Sequence, residues 1–186
     1  MKKLSLLFAT AGMAMLTACA PLQVDQLPTR TPTDFLLDIK AVADANDFTN
    51  IDAVGKRLRI DLVAGPEEPV YASDEKTLLG YAVTVKNKRM TQEYLPENFR
   101  FRNFQPVDRS FDRALVSMMV NPRVICVTPA DLVEVFGEVA RSINAHTSSI
   151  GYSYENLRIT DFRAYFNFEQ YGCLYKFGFF KNRNKE

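Results

Sequence analysis

The chain has 186 residues, of which 23 are basic and 22 acidic, with one histidine and three cysteines. A formal net charge of +1 at pH 7 gives no support for electrostatic capture of nucleic acid, so no nucleic-acid partner is predicted.

The N-terminus combines a basic start, a short apolar run and small residues before a cysteine. Residues 1–3 (Met-Lys-Lys) precede an apolar run over residues 4–16, and Ala18 and Cys19 follow shortly after it. This order is typical of a secretory signal peptide, and the run is shorter than the ~20 residues that cross a membrane. Residues 1–18 are therefore predicted to be a cleaved signal peptide.

Leu16-Thr17-Ala18-Cys19 resembles the lipobox of bacterial lipoproteins, in which an apolar residue and two small ones precede a cysteine. The resemblance implies that Cys19 carries a diacylglyceryl group and, after cleavage before it, an acylated α-amine. Several acyl chains together give a durable anchor. Ala20, which is not an aspartate, implies an outer-membrane protein facing the periplasm. The alternative is an ordinary cleaved signal peptide with Cys19 as a plain residue.

Cleavage would leave 168 of the 186 residues, enough for one domain with a hydrophobic core. Residues 19–30 contain two prolines and show no sustained periodicity, so they are predicted to be the lipid anchor and a flexible tether. Residues 31–186 are predicted to form a single periplasmic domain.

Two main helices are predicted from the same start signal, a Thr-Pro pair followed by an acid, at Thr31 and Thr128. The apolar face of the first comprises Phe35, Leu36, Ile39, Val42 and Ala43. The apolar face of the second comprises Leu132, Val135, Phe136, Val139 and Ile143. Gly137 either costs this helix ~1 kcal/mol or ends it early. A shorter helix is predicted over residues 50–56.

Apolar runs, alternating or continuous, predict strands. They lie at 58–62, 79–85, 113–120, 124–127, 162–168 and 173–179. The last two flank a turn at 170–172 and predict a C-terminal β-hairpin. Because helices and strands do not alternate regularly, the predicted fold is α+β, an antiparallel sheet with the two main helices packed on one face. Residues 64–76 and 86–112 are predicted to be rich in loops.

Once Cys19 is lipidated, Cys126 and Cys173 remain as a pair. In an oxidising envelope such a pair is predicted to form a disulfide. Closing a loop of nearly fifty residues would stabilise the domain by roughly 4 kcal/mol, and would tie the second helix to the hairpin. The alternative is two buried free thiols.

No catalytic residue, metal site or cofactor is predicted. His146 is the only histidine and lies in a polar stretch, where adjacent serines rarely form a catalytic triad and no GxSxG motif is present. With the cysteines paired, a zinc site has too few ligands, and no EF-hand-like loop is present.

Four charged residues in the loop-rich regions are predicted to contact a partner. Glu67 and Glu68 lie between two prolines and are predicted to form a solvated loop tip. Arg100 and Arg102 alternate with phenylalanines, so a strand would place the arginines on one face. Aromatic residues and arginine are frequent anchors of protein interfaces.

The absence of a catalytic set favours a non-enzymatic protein-binding module with a protein partner in the periplasm. The small size, the tether and the bridge favour an immunity or inhibitor protein that occupies the active site of a toxin or cell-wall hydrolase. A further alternative is a cell-wall hydrolase that uses acids from separate strands.

The region from Thr128, with Phe136-Gly137 and the Gly-Tyr-Ser-Tyr run at 151–154, is similar to the small lipoprotein subunit of the outer-membrane β-barrel assembly machinery. That family has a helix ending near a glycine, followed by strands. The resemblance implies an outer-membrane assembly accessory as the alternative function. The proline that follows this glycine in the family is absent here.

Overall fold

The computed structural model describes residues 23–144, 149–156, 161–169 and 172–183. The described helices are α1 (Pro32–Ala45), α2 (Ile51–Leu58) and α3 (Pro129–Phe136). The described strands are β1 (Ile60–Tyr71), β2 (Leu78–Met90), β3 (Tyr94–Pro106), β4 (Arg113–Val120), β5 (Ala140–Asn144), β6 (Ser149–Tyr154), β7 (Phe162–Phe168) and β8 (Leu174–Lys181). They form one antiparallel sheet in the order β1-β2-β3-β4-β8-β7-β6-β5, which confirms the α+β class.

Helix α1 begins as the sequence predicts. Thr31 is the N-cap, and its Oγ1 accepts a hydrogen bond from the backbone N of Asp34 at 3.1 Å. All five residues of the predicted apolar face are buried. The helix ends at Asn46, which adopts a left-handed φ of 48°. Local capping and periodicity therefore account for both the start and the buried face of this helix.

Of the two outcomes predicted for the helix from Thr128, the structure shows that Gly137 ends it early, so its apolar face does not extend to Val139 and Ile143. Helix α3 is capped by Thr128 as predicted, but it ends at Phe136 because Gly137 adopts a φ of 72°, which closes the helix. Val139 follows the helix, and Ile143 lies in β5 instead. Their spacing therefore matches a helix although neither residue belongs to one.

The regions predicted to be rich in loops are largely strands. Residues 64–71 belong to β1, and most of 86–112 belongs to the end of β2 and to β3. Strand β1 lies at the edge of the sheet, where proline is tolerated, and a register shift between Ala64 and Glu67 accommodates Pro66. The strand predicted over 124–127 is also wrong, because the amides of Val124 and Ile125 both bond to the carbonyl of Asn121 in a turn.

The sheet has a core face and an outer face. The core face carries the alternate residues of β4, β7 and β8 that are almost fully buried; they are Ala114, Val116, Met118, Phe162, Ala164, Phe166, Phe168, Phe177 and Phe179. The outer face carries the residues between them. Strands β7 and β8 form the predicted C-terminal hairpin.

The predicted disulfide is present. Cys126 and Cys173 are bonded, with their Cα atoms 5.0 Å apart. Beside the bridge, the backbone N of Leu174 donates to the carbonyl of Val127 at 2.8 Å. The segment before α3 is therefore joined to the start of β8 by a covalent bond and a backbone hydrogen bond.

The ordered structure extends into the segment predicted as tether, because Arg30 is buried. Its backbone N donates to Glu93 Oε1 at 2.6 Å, and its guanidinium contacts the Glu93 carboxylate and Asp38. Gln23 and the carbonyl of Pro28 also accept hydrogen bonds from arginines of the domain. These contacts join the segment before α1 to the rest of the domain.

Candidate functional site

The pairing of the strands shows which side chains lie on the outer face of the sheet. Residues directly opposite in an antiparallel pair project to the same side of the sheet. One row runs from Arg100 through Ser117 and Gly178 to Tyr165. The neighbouring row contains Arg102, Leu115, Phe180 and Arg163. Four strands from distant parts of the chain thus build one surface.

The paired positions on the outer face of β3, β4, β7 and β8 carry basic side chains and no acidic one. The basic residues are Arg100, Arg102, Arg113, Arg163 and Lys176. Arg163 is neutralised by Glu155, with Nη2 2.6 Å from Oε1, and Arg113 donates to the carbonyl of Asn182. Arg100 and Arg102 are exposed, and neither forms an ion pair within the described part of the chain.

An aromatic platform lies beside these arginines. The rings of Tyr165 and Phe180 stack with centroids 5.0 Å apart, and Arg183 lies 5.0 Å from the centroid of Phe180. Burial raises the pKa of Tyr165 above its ordinary value. The phenol is therefore neutral at pH 7 and presents no charge of its own.

Gly178 makes this platform possible. A Cβ at this position would lie 2.1 Å from the carbonyl oxygen of Val116 and 2.4 Å from the hydroxyl of Tyr165. The strand β8 therefore needs glycine where the tyrosine ring folds down over the sheet. Replacement by any other residue would displace the ring or the backbone.

The four predicted contact residues are divided between the two faces. Arg100 and Arg102 share the outer face, as the strand alternation predicts. Glu68 pairs with Ala82 and lies on the outer face at the β1 edge, whereas Glu67 pairs with Val83 on the core face. The prediction that the two glutamates form one loop tip is wrong, because both are exposed residues of an edge strand.

Sequence reasoning missed Tyr165, Phe180 and Gly178 as parts of this surface. Their positions in the alternating hairpin show which face they occupy, but not that β4 pairs with β8 and β3 with β4. The Gly178-Phe179-Phe180 run was a usable signal, since a glycine inside a strand often marks a close approach.

Two predicted features fall outside the described residues. Cys19 and the lipobox precede residue 23, and His146 lies between β5 and β6 in the gap at 145–148. Among the described residues, no group of three or more His, Cys, Asp or Glu side chains could hold a metal ion. None of the helices in the described ranges is long and apolar enough to span a membrane.

No family model matches this chain, and neither a curated protein nor a solved structure matches it significantly.

Proposed function

We propose that this protein is a lipid-anchored periplasmic module that binds the acidic surface of a protein partner through its outer sheet face. The binding function follows from Arg100 and Arg102, two exposed cations without an ion-pair partner in the described chain, beside an aromatic platform. An immunity or inhibitor protein, which covers the active site of a toxin or cell-wall hydrolase, is the role that best suits such a surface.

The chemistry of the outer face supports a protein partner. Arginine and tyrosine are enriched among residues that dominate binding energy, because they combine apolar contact with directed hydrogen bonds. The guanidinium of each arginine can bind a carboxylate through two parallel hydrogen bonds. A partner rich in aspartate and glutamate therefore matches both the charge and the donor geometry of this face.

We also infer that α1 and α3 cover the core face alone. Phe35 of α1 contacts Phe177 with ring centroids 6.0 Å apart, and Phe136 of α3 contacts Phe166 at 4.9 Å. Both strand residues occupy core-face positions. Helices placed in this way leave the outer face available to a partner, as in other antiparallel sheets with one covered side.

Replacing Arg100 and Arg102 together with serine is expected to weaken partner binding at least ~10-fold, equivalent to ~1.4 kcal/mol. The full lipidated chain, wild type or variant, is crosslinked in its native envelope, and the captured protein is then purified for titration against the chain. The proposal expects an acidic partner whose binding weakens as salt is raised. In the immunity role, the chain also inhibits the partner's hydrolytic or toxic activity at a 1:1 ratio.

A charge-matched control separates the site from net charge. Lys56 and Lys76 are both exposed, on α2 and on the turn between β1 and β2, and their joint replacement with serine removes the same charge. This control variant is expected to bind as tightly as wild type. Equal weakening by both double variants, or a partner without an acidic surface, would rule out the outer face as the specific site.

Replacing Cys19 with alanine is expected to move the protein from the membrane fraction to the soluble periplasmic fraction. The lipobox resemblance motivates this expectation, since Cys19 is the proposed acceptor of the lipid. Fractionation followed by detection of the chain, with Cys126→Ala as a control that removes a different cysteine, measures the effect. Retention of the Cys19→Ala variant in the membrane would refute the lipid anchor.

A further inference from the structure

A concave region, the β1–β3 groove, lies on the core face at the edge of the sheet. It is lined by residues of the segment before α2 and of three neighbouring strands, among them Thr49, Glu67, Tyr81, Val83 and Asn103. It shares no charged residue with the arginine-bearing outer face. A ligand of this groove is therefore recognised by residues different from the arginines of the outer face.

The strand register places the polar residues of the groove on either side of an apolar floor. Glu67 pairs with Val83, and Val83 pairs with Asn103. Glu67 and Asn103 are thus two strand spacings apart, roughly 10 Å between backbones, with Val83 between them. A group lying over Val83 is within reach of both polar side chains.

Asn103 carries an unused acceptor in this groove. The residue is only 9% exposed, and its Nδ2 donates to the carbonyl of Phe48 at 2.6 Å. Its buried Oδ1 has no hydrogen-bond partner within the described structure. Because buried polar atoms normally have a hydrogen-bond partner, this acceptor calls for a hydrogen-bond donor.

The other lining residues favour a donor that is positively charged. Glu67 is exposed, and no described cation forms an ion pair with it. Tyr81 is 42% exposed and offers an aromatic ring, which attracts cations through its face. An ammonium or guanidinium group carries only donors and a positive charge, so it satisfies the amide oxygen and the carboxylate together.

We propose that the β1–β3 groove binds the side chain of a lysine or arginine presented by a protein partner. The cationic head lies over Val83, where it bridges Glu67 and Asn103, and the aliphatic stem lies along β2 toward Tyr81. Leu79, 46% exposed and two residues along β2 from Tyr81, extends the apolar surface toward the residues that flank the basic one. The site is independent of the proposed outer-face interface, since it has the opposite charge and lies on the opposite face.

The test uses N-acetyl-lysine amide as probe and the full chain, with chemical shifts of the Asn103 side-chain amide as readout. We expect saturable shifts at millimolar probe, and binding at least ~5-fold weaker for N-acetyl-norleucine amide, which keeps the stem but lacks the charge. The same shifts with the norleucine compound would overturn the proposal, because an uncharged ligand would then suffice.

The adjacent glutamates provide a matched pair of variants. Glu67→Gln is expected to weaken probe binding at least ~5-fold, whereas Glu68→Gln, on the opposite face, is expected to leave it unchanged. Both positions are exposed on an edge strand, so neither change removes a buried contact. Equal effects of the two variants would overturn the assignment.

A peptide arm tests whether the cation comes from a protein. The acetylated tripeptide Leu-Lys-Leu amide is expected to bind at least ~3-fold tighter than N-acetyl-lysine amide, because its flanking leucines contact Leu79 and Tyr81. Methylammonium binding as tightly as the tripeptide would assign the groove to small free cations and overturn the assignment to a protein side chain. None of these arms depends on the outer face, so their failure leaves the proposed function untouched.

Discussion

Replacing Glu93 with glutamine is expected to lower the free energy of unfolding by about 3–5 kcal/mol, since it removes the buried counter-ion of Arg30 and leaves its guanidinium only the partly exposed Asp38. Glu93 is fully buried, and Arg30 is only 6% exposed. A loss of this size is a large fraction of the ~5–15 kcal/mol that stabilises an ordinary domain. Urea unfolding followed by far-ultraviolet circular dichroism measures it, since the chain has no tryptophan.

The expected loss of stability is large because both oxygens of the Glu93 carboxylate accept several hydrogen bonds. Its two oxygens accept from the backbone N and Nε of Arg30, and Oε2 accepts from Thr91 Oγ1 at 2.7 Å. Arg30 also donates to Tyr94, whose hydroxyl in turn donates to the carbonyl of Leu58 at 2.8 Å. One carboxylate thus joins the segment before α1, the β2–β3 turn and the end of α2.

An exposed ion pair offers a matched control. Arg163 and Glu155 form a pair whose side chains are 57% and 54% exposed. Glu155→Gln makes the same chemical change as Glu93→Gln, but solvent screens the pair, so the expected loss is under ~1 kcal/mol. Equal losses in the two variants would show that burial of the Arg30–Glu93 pair does not set its contribution.

The difference in the free energy of unfolding between wild type and Glu93→Gln is also expected to depend on pH. Burial alone would raise the pKa of Glu93, but hydrogen bonds and charge attraction from Arg30 outweigh it and hold this pKa below its ordinary value. The stabilisation is therefore fully present above the unfolded-state pKa of ~4.3 and is lost as pH falls through the folded-state pKa. The difference in the free energy of unfolding between wild type and Glu93→Gln should therefore narrow when urea titrations are repeated from pH 7 down to pH 3. A constant difference would contradict the lowered pKa of Glu93.

Local signals explain which elements could be predicted. Helix α1 and the C-terminal hairpin follow from capping and alternation, because their buried faces are complete within one segment. Only the start of β1 could be read in this way, since Pro66 and Pro69 normally end a strand. Its position at the sheet edge, which permits them, is a property of the assembled sheet and of no local segment.

The sequence predicts the charged residues of the candidate site, but it does not predict which strands lie beside them. The alternation around Phe101 places Arg100 and Arg102 on one face, as found. The stack of Tyr165 on Phe180 depends on the pairing of β7 with β8, and its closeness to Arg100 depends on β4 lying between β3 and β8. Because the stack joins two strands, and Arg100 and Tyr165 are 65 positions apart in the chain, periodicity alone does not specify these contacts. The unused acceptor of Asn103 likewise appears only once the side chain is placed.

Reduction of the disulfide between Cys126 and Cys173 is expected to lower the free energy of unfolding by roughly 4 kcal/mol, because it frees a loop whose ends are 47 residues apart. Cys126 is exposed, so dithiothreitol can reach the bond in the folded protein. Urea unfolding with and without reductant measures the loss. The Cys126→Ala/Cys173→Ala variant is expected to have the same free energy of unfolding as the reduced wild type, and the reductant is expected not to change it.

The reduced chain is nevertheless expected to keep its native fold in the absence of urea. The hydrogen bond from Leu174 N to the carbonyl of Val127 holds the two segments together without the sulfurs, and Val127 and Leu174 are both fully buried. In the chain-entropy account the bridge acts mainly by restricting the unfolded ensemble, so native contacts should persist when it is cut. Unchanged circular dichroism together with a lower urea midpoint is the expected pair of results. A native spectrum altered by reduction would instead assign the bridge a role in holding the folded contact.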